Sequence, residues 1–122
     1  VLIVEDEYLN ALYPKRALEQ QGFSVRIAAN GFRALDILRQ EKFDLILMDI
    51  EMPVMNGLEA TQHIRASENG ISKLPIIAVT AMTDDITRES CLQDGINKFV
   101  PKPYELEHLF GVVKEFTPLP QA

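Results

Sequence analysis

The stretch LILMDIEMPVMNG, residues 45–57, joins an apolar run to a carboxylate and then to a turn-forming segment. Its first residues are typical of a buried strand, and Asp49 stands where that strand ends. The Met-Pro and Asn-Gly pairs that follow predict that the chain turns there. Because a buried carboxylate without a partner is costly, Asp49 is either an ordinary exposed strand end or a residue with a specific role.

On either side of this stretch, short apolar runs alternate with helical patterns. The predicted strands are residues 1–4, 23–28, 43–49, 75–81 and 98–100. The predicted helices are one from residue 9 to a stop at Gly22, then residues 31–38, 57–65, 84–92 and 106–116. Five strand–helix units predict an α/β fold whose parallel sheet is covered by helices on both faces. Pro14 falls inside the first helical pattern and predicts a bent or shortened helix.

The length of 122 residues predicts one domain, which we place at residues 1–116. Residues 117–122 contain two prolines and predict a tail or linker. The first residues already belong to an apolar run and include no Met, so we expect a domain taken from a longer protein.

Charge and composition exclude several classes of function. A net charge of −6 argues against direct nucleic-acid binding, which normally needs a basic face. No apolar run approaches the roughly 18 residues of a membrane span, so we expect no membrane contact by this domain. The single cysteine, Cys91, cannot form an internal disulfide, which favours a cytoplasmic location.

Polar side chains gather at the predicted strand ends. They are Glu5 and Asp6 after the first strand, Asp49 at the third, Thr80 at the fourth and Lys102 after the fifth. Open parallel sheets bind ligands beyond the carboxyl ends of their strands. If the first, third, fourth and fifth strands lie at the centre, these five residues converge on one small area.

The residue types in that cluster predict binding of a metal cation and of a phosphoryl group. Carboxylates held so close repel one another and need a cation, and an all-oxygen site favours Mg²⁺ over zinc or copper. Lys102 supplies a positive charge and Thr80 a hydroxyl, each suited to a phosphoryl oxygen. Since aspartate is a known nucleophile for phosphoryl groups, the site predicts phosphoryl transfer to Asp49.

The segments VLIVEDE, LILMDIEMPVMNGLEA, PIIAVTA and KFVPKPYE, in this order, resemble the receiver domain of response regulators over nearly the whole chain. The resemblance implies a flavodoxin-like (βα)5 three-layer sandwich with strand order 2-1-3-4-5. The sequence around Asp49 is most similar to that of receiver domains fused to sensor histidine kinases, which implies a hybrid kinase as the parent protein.

The resemblance also implies roles for the acidic residues. Asp49 matches the phosphoacceptor, and Asp6 matches a direct Mg²⁺ ligand. Glu5, where the family more often has Asp, is implied to act on the metal through water. The backbone carbonyl of Glu51 matches the third protein ligand. The implied cofactor is Mg²⁺, with Mn²⁺ as an alternative.

The remaining positions match the residues that contact the phosphoryl group and respond to it. Thr80 and Lys102 match its binding partners, and the Lys102–Pro103 bond is implied to be cis. Phe99 falls at the family's aromatic switch position, together with Thr80, but lacks the hydroxyl of a tyrosine.

The implied function is a phosphorylation-dependent switch of a two-component system or phosphorelay. A histidine kinase or histidine phosphotransfer domain donates the group, and the surface of the fourth helix, fifth strand and fifth helix changes its partners. A homodimer through that surface is a further expectation. Such a domain catalyses its own phosphotransfer and dephosphorylation without being a stand-alone turnover enzyme. The alternative is an interaction module of the same fold that works without phosphorylation.

Overall fold

The computed structural model describes residues 1–50, 57–67, 71–81, 85–93 and 95–117. Strands and helices alternate along them, with a short 3-10 turn at Ile71–Lys73. The strands are β1 (Leu2–Val4), β2 (Arg26–Ala28), β3 (Ile46–Asp49), β4 (Ile76–Thr80) and β5 (Lys98–Pro101). The helices are α1 (Tyr8–Gln20), α2 (Gly31–Gln40), α3 (Gly57–Arg65), α4 (Asp85–Gln93) and α5 (Leu106–Phe116).

All five strands run parallel, in the order β2-β1-β3-β4-β5. This confirms the predicted α/β fold and its strand order. The register pairs Val4 with Met48, Asp49 with Val79, and Thr80 with Pro101. Consequently the carboxyl ends of β1, β3, β4 and β5 lie side by side along one edge of the sheet.

Helices cover both faces of the sheet because strand residues point alternately to opposite sides. One buried cluster joins the even-numbered residues of β1, β3 and β4 to α2 and α3. The other joins Ile3, Leu47, Ile77 and Val79 to apolar residues of α1 and α5. These two cores on either side of a central sheet confirm the three-layer sandwich.

Pro14 does not shorten α1, so that part of the prediction is wrong. The helix runs from Tyr8 to Gln20 with Pro14 inside it. Pro14 has no N–H to donate to the carbonyl of Asn10, which weakens one turn. Ala11 and Leu18, on either side of that turn, are fully buried in the core. Their packing offsets the lost hydrogen bond and keeps the helix continuous.

Arg65 contacts the segments that lead into β4 and β5, at the amino ends of these strands. Its guanidinium donates to the backbone carbonyls of Ser72, Leu74 and Gly95 and to the side-chain oxygen of Asn97, at 2.6–3.0 Å. These acceptors precede β4 and β5. Arg65 therefore fixes the loops that start the two strands.

The predicted tail, residues 117–122, falls mostly outside the described residues. Thr117 is buried and donates its N–H to the carbonyl of Val113. Residues 118–122 are not among those described, so the tail stays a prediction.

Within the described part of the chain, no helix has both the length and the apolar character needed to cross a bilayer.

Candidate functional site

The acidic residues of the first and third strands meet where those strands end. Glu5 follows β1 directly, and Asp49 is the last residue of the neighbouring β3. Carboxylate oxygens of Glu5, Asp6 and Asp49 lie within 4.8 Å of one another. Glu5 and Asp49 are buried, with 7% and 5% exposure, while Asp6 is more accessible. The sheet thus brings together the three carboxylates that sequence analysis expected to converge.

Lys102 extends its ammonium group between two of these carboxylates. Its Nζ lies 3.6 Å from Oε2 of Glu5 and 3.6 Å from Oδ1 of Asp49. The backbone fixes this position, since the N–H of Lys102 donates to the carbonyl of Thr80 at 2.8 Å. The Lys102–Pro103 peptide bond is cis, the isomer that the resemblance implies. Lys102 therefore supplies the fixed positive charge of the cluster.

Thr80 ends β4 one residue beyond Val79, the register partner of Asp49. It is completely buried. Its place at the end of the strand next to β3 puts it on the same edge of the sheet as Asp49. Thr80 therefore belongs to the same cluster of strand ends as the other predicted site residues.

Gly57, the first residue of α3, packs directly against the backbone at Asp49. A Cβ at this position would lie 2.5 Å from the carbonyl oxygen of Asp49 and 2.8 Å from Cα of Ile50. The N–H of Gly57 donates to the carbonyl of Ile50 at 3.1 Å. Only glycine permits this approach, so Gly57 helps to set the position of Asp49.

Glu5 has the strongest electrostatic perturbation in the cluster. Burial, followed by the hydrogen bond and the negative charge of Asp49, raises the pKa of Glu5 to about 7. The charge of Lys102 and a hydrogen bond from the N–H of Glu7 act in the opposite direction. Near neutral pH the metal-free site therefore holds a proton on Glu5 for much of the time.

The donor set fits a hard divalent cation. Three carboxylates and one ammonium leave two negative charges when all groups are ionised, which one divalent ion would neutralise. The oxygen ligands are those that Mg²⁺ prefers. Glu51, whose carbonyl is the predicted third ligand, lies outside the described residues.

Phe99 lies apart from the cluster, in β5, with its half-buried ring packed against the core beneath α2 and α3. The guanidinium carbon of Arg88 in α4 lies 5.3 Å from the centre of this ring. That distance is within the range of a cation–π interaction. Sequence analysis selected Phe99 but missed Arg88, because nothing in the spacing of a surface arginine shows which ring it covers.

A cavity of about 460 Å³ opens beside the cluster, between α1 and the connection from β5 to α5. Tyr13 and Tyr104 stand at it with ring centroids 6.3 Å apart and an interplanar angle of 44°. Burial, with smaller contributions from Tyr13 and Glu5, raises the pKa of Tyr104 to about 12. Its phenol is thus neutral at physiological pH. The sequence contained no signal for this cavity.

Comparison with known proteins shows which family carries this geometry. The sequence model of one protein family, the response regulator receiver domain, matches residues 1–114. The chain belongs to this family. It is a receiver domain of two-component signalling, in which the phosphoacceptor switch role fits the site described above.

Individual relatives include a longer protein and a solved structure of similar fold. Sensor protein GacS of Pseudomonas syringae pv. syringae is 40% identical over 121 residues, covering 98% of this chain but 13% of GacS. The chain thus spans a small part of that relative. Chemotaxis protein CheY4 of Vibrio cholerae superposes with a TM-score of 0.88 at 28% identity, covering 94% of this chain and 95% of that one.

One solved relative carries a metal. The receiver domain of a sensor histidine kinase from Pseudomonas aeruginosa PAO1 has a magnesium ion coordinated in its active-site cleft. It is 37% identical to this chain, with a TM-score of 0.85 and coverage of 94% and 93%. Receiver domains bind Mg²⁺ in this site, and the acidic cluster here has the composition to do the same.

Proposed function

We propose that this receiver domain accepts a phosphoryl group on Asp49 from the phosphohistidine of a histidine kinase or histidine phosphotransfer domain. The observation that carries the proposal is the placement of Asp49: a buried carboxylate within 4.8 Å of two others and 3.6 Å from an ammonium group. An ordinary strand-end aspartate would face solvent and would not need such surroundings. Family membership supports the same reaction class.

In the proposed reaction, a carboxylate oxygen of Asp49 attacks phosphorus while the P–N bond of the donor breaks. The bonding electron pair stays on the imidazole nitrogen, which takes up a proton. The ammonium of Lys102 neutralises charge on the acceptor and on a phosphoryl oxygen. The hydroxyl of Thr80 donates a hydrogen bond to a second phosphoryl oxygen. The chain's contribution is therefore positioning and charge neutralisation.

The metal site of the proposal consists of Asp6 and Asp49 as direct ligands, the backbone carbonyl of Glu51 as a third, and Glu5 acting through water. Mg²⁺ bound there would neutralise the phosphoryl oxygens, and Mn²⁺ would serve as a substitute. The approach of the three carboxylates to within 4.8 Å of one another supports a metal site here.

The output of the proposed switch is a change in the surface formed by α4, β5 and α5. Thr80 and Phe99 reposition on phosphorylation, and Arg88 follows because it covers the ring of Phe99. A homodimer through this surface is one outcome of such a change. Receiver domains of hybrid kinases interact with histidine kinase or phosphotransfer partners, and a hybrid histidine kinase is the parent protein we propose.

The setting we propose for the domain is cytoplasmic, without direct contact to nucleic acid or membrane. The acidic balance of the sequence, with a net charge of −6, supports this setting because phosphate-rich surfaces would repel it. We also propose that residues 1–116 form the receiver domain and that residues 117–122 are a tail or linker. The domain would catalyse its own phosphotransfer and dephosphorylation, without turnover of a separate substrate.

The test is modification of the isolated domain by a small phosphodonor, such as acetyl phosphate, with Mg²⁺. Intact mass should increase by one phosphoryl group in the wild type and not in Asp49→Asn. Asp44→Asn is a matched control, because it removes an exposed carboxylate two residues before the start of the same strand. Lack of any modification, and lack of a Mg²⁺-dependent change in the amide spectrum, would instead favour a phosphorylation-independent interaction module.

A further inference from the structure

The cavity beside the acidic cluster has an apolar floor that phosphoryl transfer does not use. Ile3, Leu47 and Val79 form this floor, from the neighbouring strands β1, β3 and β4. Each is at most 8% exposed. Ala11 and Pro14 of α1 form one wall. Small or compact side chains at these two positions leave the gap between helix and sheet incompletely filled.

The lining of the cavity combines two kinds of group. Tyr13 and Tyr104 contribute aromatic rings, and Tyr13 is 56% exposed. Glu5, Asp49 and Lys102 contribute the charged groups that the cavity shares with the acidic cluster. The cluster has three carboxylates against one ammonium and keeps a net negative charge when Glu5 holds a proton, so this part of the cavity attracts positive charge.

We propose that this cavity binds a small aromatic amine, with the ring over Ile3, Leu47 and Val79 and the ammonium directed to Glu5 and Asp49. The volume of about 460 Å³ lies within the range of small-molecule sites. It is about three times the size of a cavity that holds benzene, which leaves room for two fused rings and a short side chain. Tyr13 and Tyr104 offer ring faces and edges for aromatic contacts.

Such binding would regulate the phosphoacceptor site, a consequence that rests on the proposed function. The ammonium would occupy the carboxylates that the metal site also needs. The amine and Mg²⁺ therefore exclude one another, and the bound amine keeps Asp49 from being phosphorylated. A ring of the same size that carries a carboxylate would be repelled by Glu5 and Asp49.

The experiment uses tryptamine as the probe and indole-3-propionate as the matched probe of opposite charge. Binding is followed by amide chemical shifts of the domain and by saturation transfer to the ligand, in metal-free buffer. Tryptamine should shift the amides of Ile3, Leu47 and Tyr104 and bind at least about tenfold more tightly than indole-3-propionate. Saturating Mg²⁺ should weaken tryptamine binding by a similar factor. Equal binding of both probes, absence of binding, or indifference to Mg²⁺ would overturn the proposal.

Variants separate the cavity from the metal site. Ala11→Leu fills the cavity from α1 and should abolish tryptamine binding while Mg²⁺ affinity stays unchanged. If Ala11→Leu does not fold, Tyr104→Ala removes an aromatic wall and should weaken tryptamine binding. Tyr8→Ala is its control, because Tyr8 is an exposed aromatic residue of α1 outside the cavity lining. Unchanged tryptamine binding in both Ala11→Leu and Tyr104→Ala would refute the assigned position.

Failure of this inference can be told apart from failure of the proposed function. Phosphorylation of Asp49 is measured on the same preparation without tryptamine. If Asp49 is modified but tryptamine does not bind, only the cavity proposal fails. If tryptamine binds in competition with Mg²⁺ but Asp49 is never modified, the cavity proposal stands and its regulatory consequence fails with the proposed function.

Discussion

Replacement of Glu5 by glutamine should stabilise the metal-free domain at neutral and alkaline pH. Glutamine imitates the protonated form of Glu5: its amide can donate to Asp49, and its carbonyl can still accept the N–H of Glu7. It carries no charge to be buried. In wild-type protein, ionisation of Glu5 places a second buried negative charge beside Asp49.

The sign follows from the raised pKa of Glu5, about 7 against an ordinary value of 4.5. Below the ordinary value, folded and unfolded chains both hold the proton, and the wild type loses nothing. As pH rises between 4.5 and about 7, the unfolded chain releases its proton first, so wild-type stability falls. Above that window the loss is complete and constant.

The size of the effect comes from about 1.4 kcal/mol per pKa unit, which for the shift from 4.5 to about 7 gives about 3.5 kcal/mol as an upper limit. The cluster is open to solvent on the side of Asp6 and Lys102, whose side chain is 32% exposed. Solvent screening there reduces the effect, and we expect about 1–2 kcal/mol.

The assay is urea unfolding followed by circular dichroism in the presence of a chelator, at about pH 4 and about pH 8. The stability of Glu5→Gln relative to wild type should increase between these two pH values by the amount above. Glu107→Gln removes an exposed carboxylate of α5 and serves as control. A stability difference between Glu5→Gln and wild type that does not change with pH would refute the reasoning.

Three further predictions concern the metal, the sheet and the switch. The Mg²⁺ affinity of the wild type should rise by about tenfold between pH 6 and pH 8, because the metal displaces the proton on Glu5. Calorimetry of Mg²⁺ binding should show the release of this proton in the wild type and not in Glu5→Gln. Arg65→Met should lower the free energy of unfolding by about 2–4 kcal/mol, because three half-buried backbone carbonyls, of Ser72, Leu74 and Gly95, lose their donor. Urea unfolding measures this, and a loss below about 1 kcal/mol would contradict it. Arg88→Gln should remove about 0.5–1 kcal/mol of cation–π interaction and shift the ring resonances of Phe99, whereas unchanged resonances would show that the contact is not populated in solution.

Element order and site composition could be read from the sequence because both depend on local pattern. Apolar runs and helical periodicity identified five strand–helix units, and the polar residues after each strand identified Asp49 and its companions. The rule that parallel strands place their carboxyl ends along one edge then predicted that these residues meet. The order of the strands came from the resemblance, and the pairing of the strands in the structure confirmed it.

Local pattern failed where distant packing decided the outcome. Pro14 predicts a disturbed helix when only its neighbours in sequence are considered. The helix persists because Ala11 and Leu18 are buried against the sheet and α5, which no local propensity reports.

The sequence by itself determined which chemical groups stand at the carboxyl edge of the sheet. Only the tertiary structure decided how those groups behave. The pKa of Glu5 depends on burial and on the distance to Asp49 and Lys102, and these are set by strands that are far apart in sequence. The cavity between α1 and the sheet likewise depends on how closely a helix approaches, a quantity fixed by the sum of many side-chain contacts rather than by any one residue.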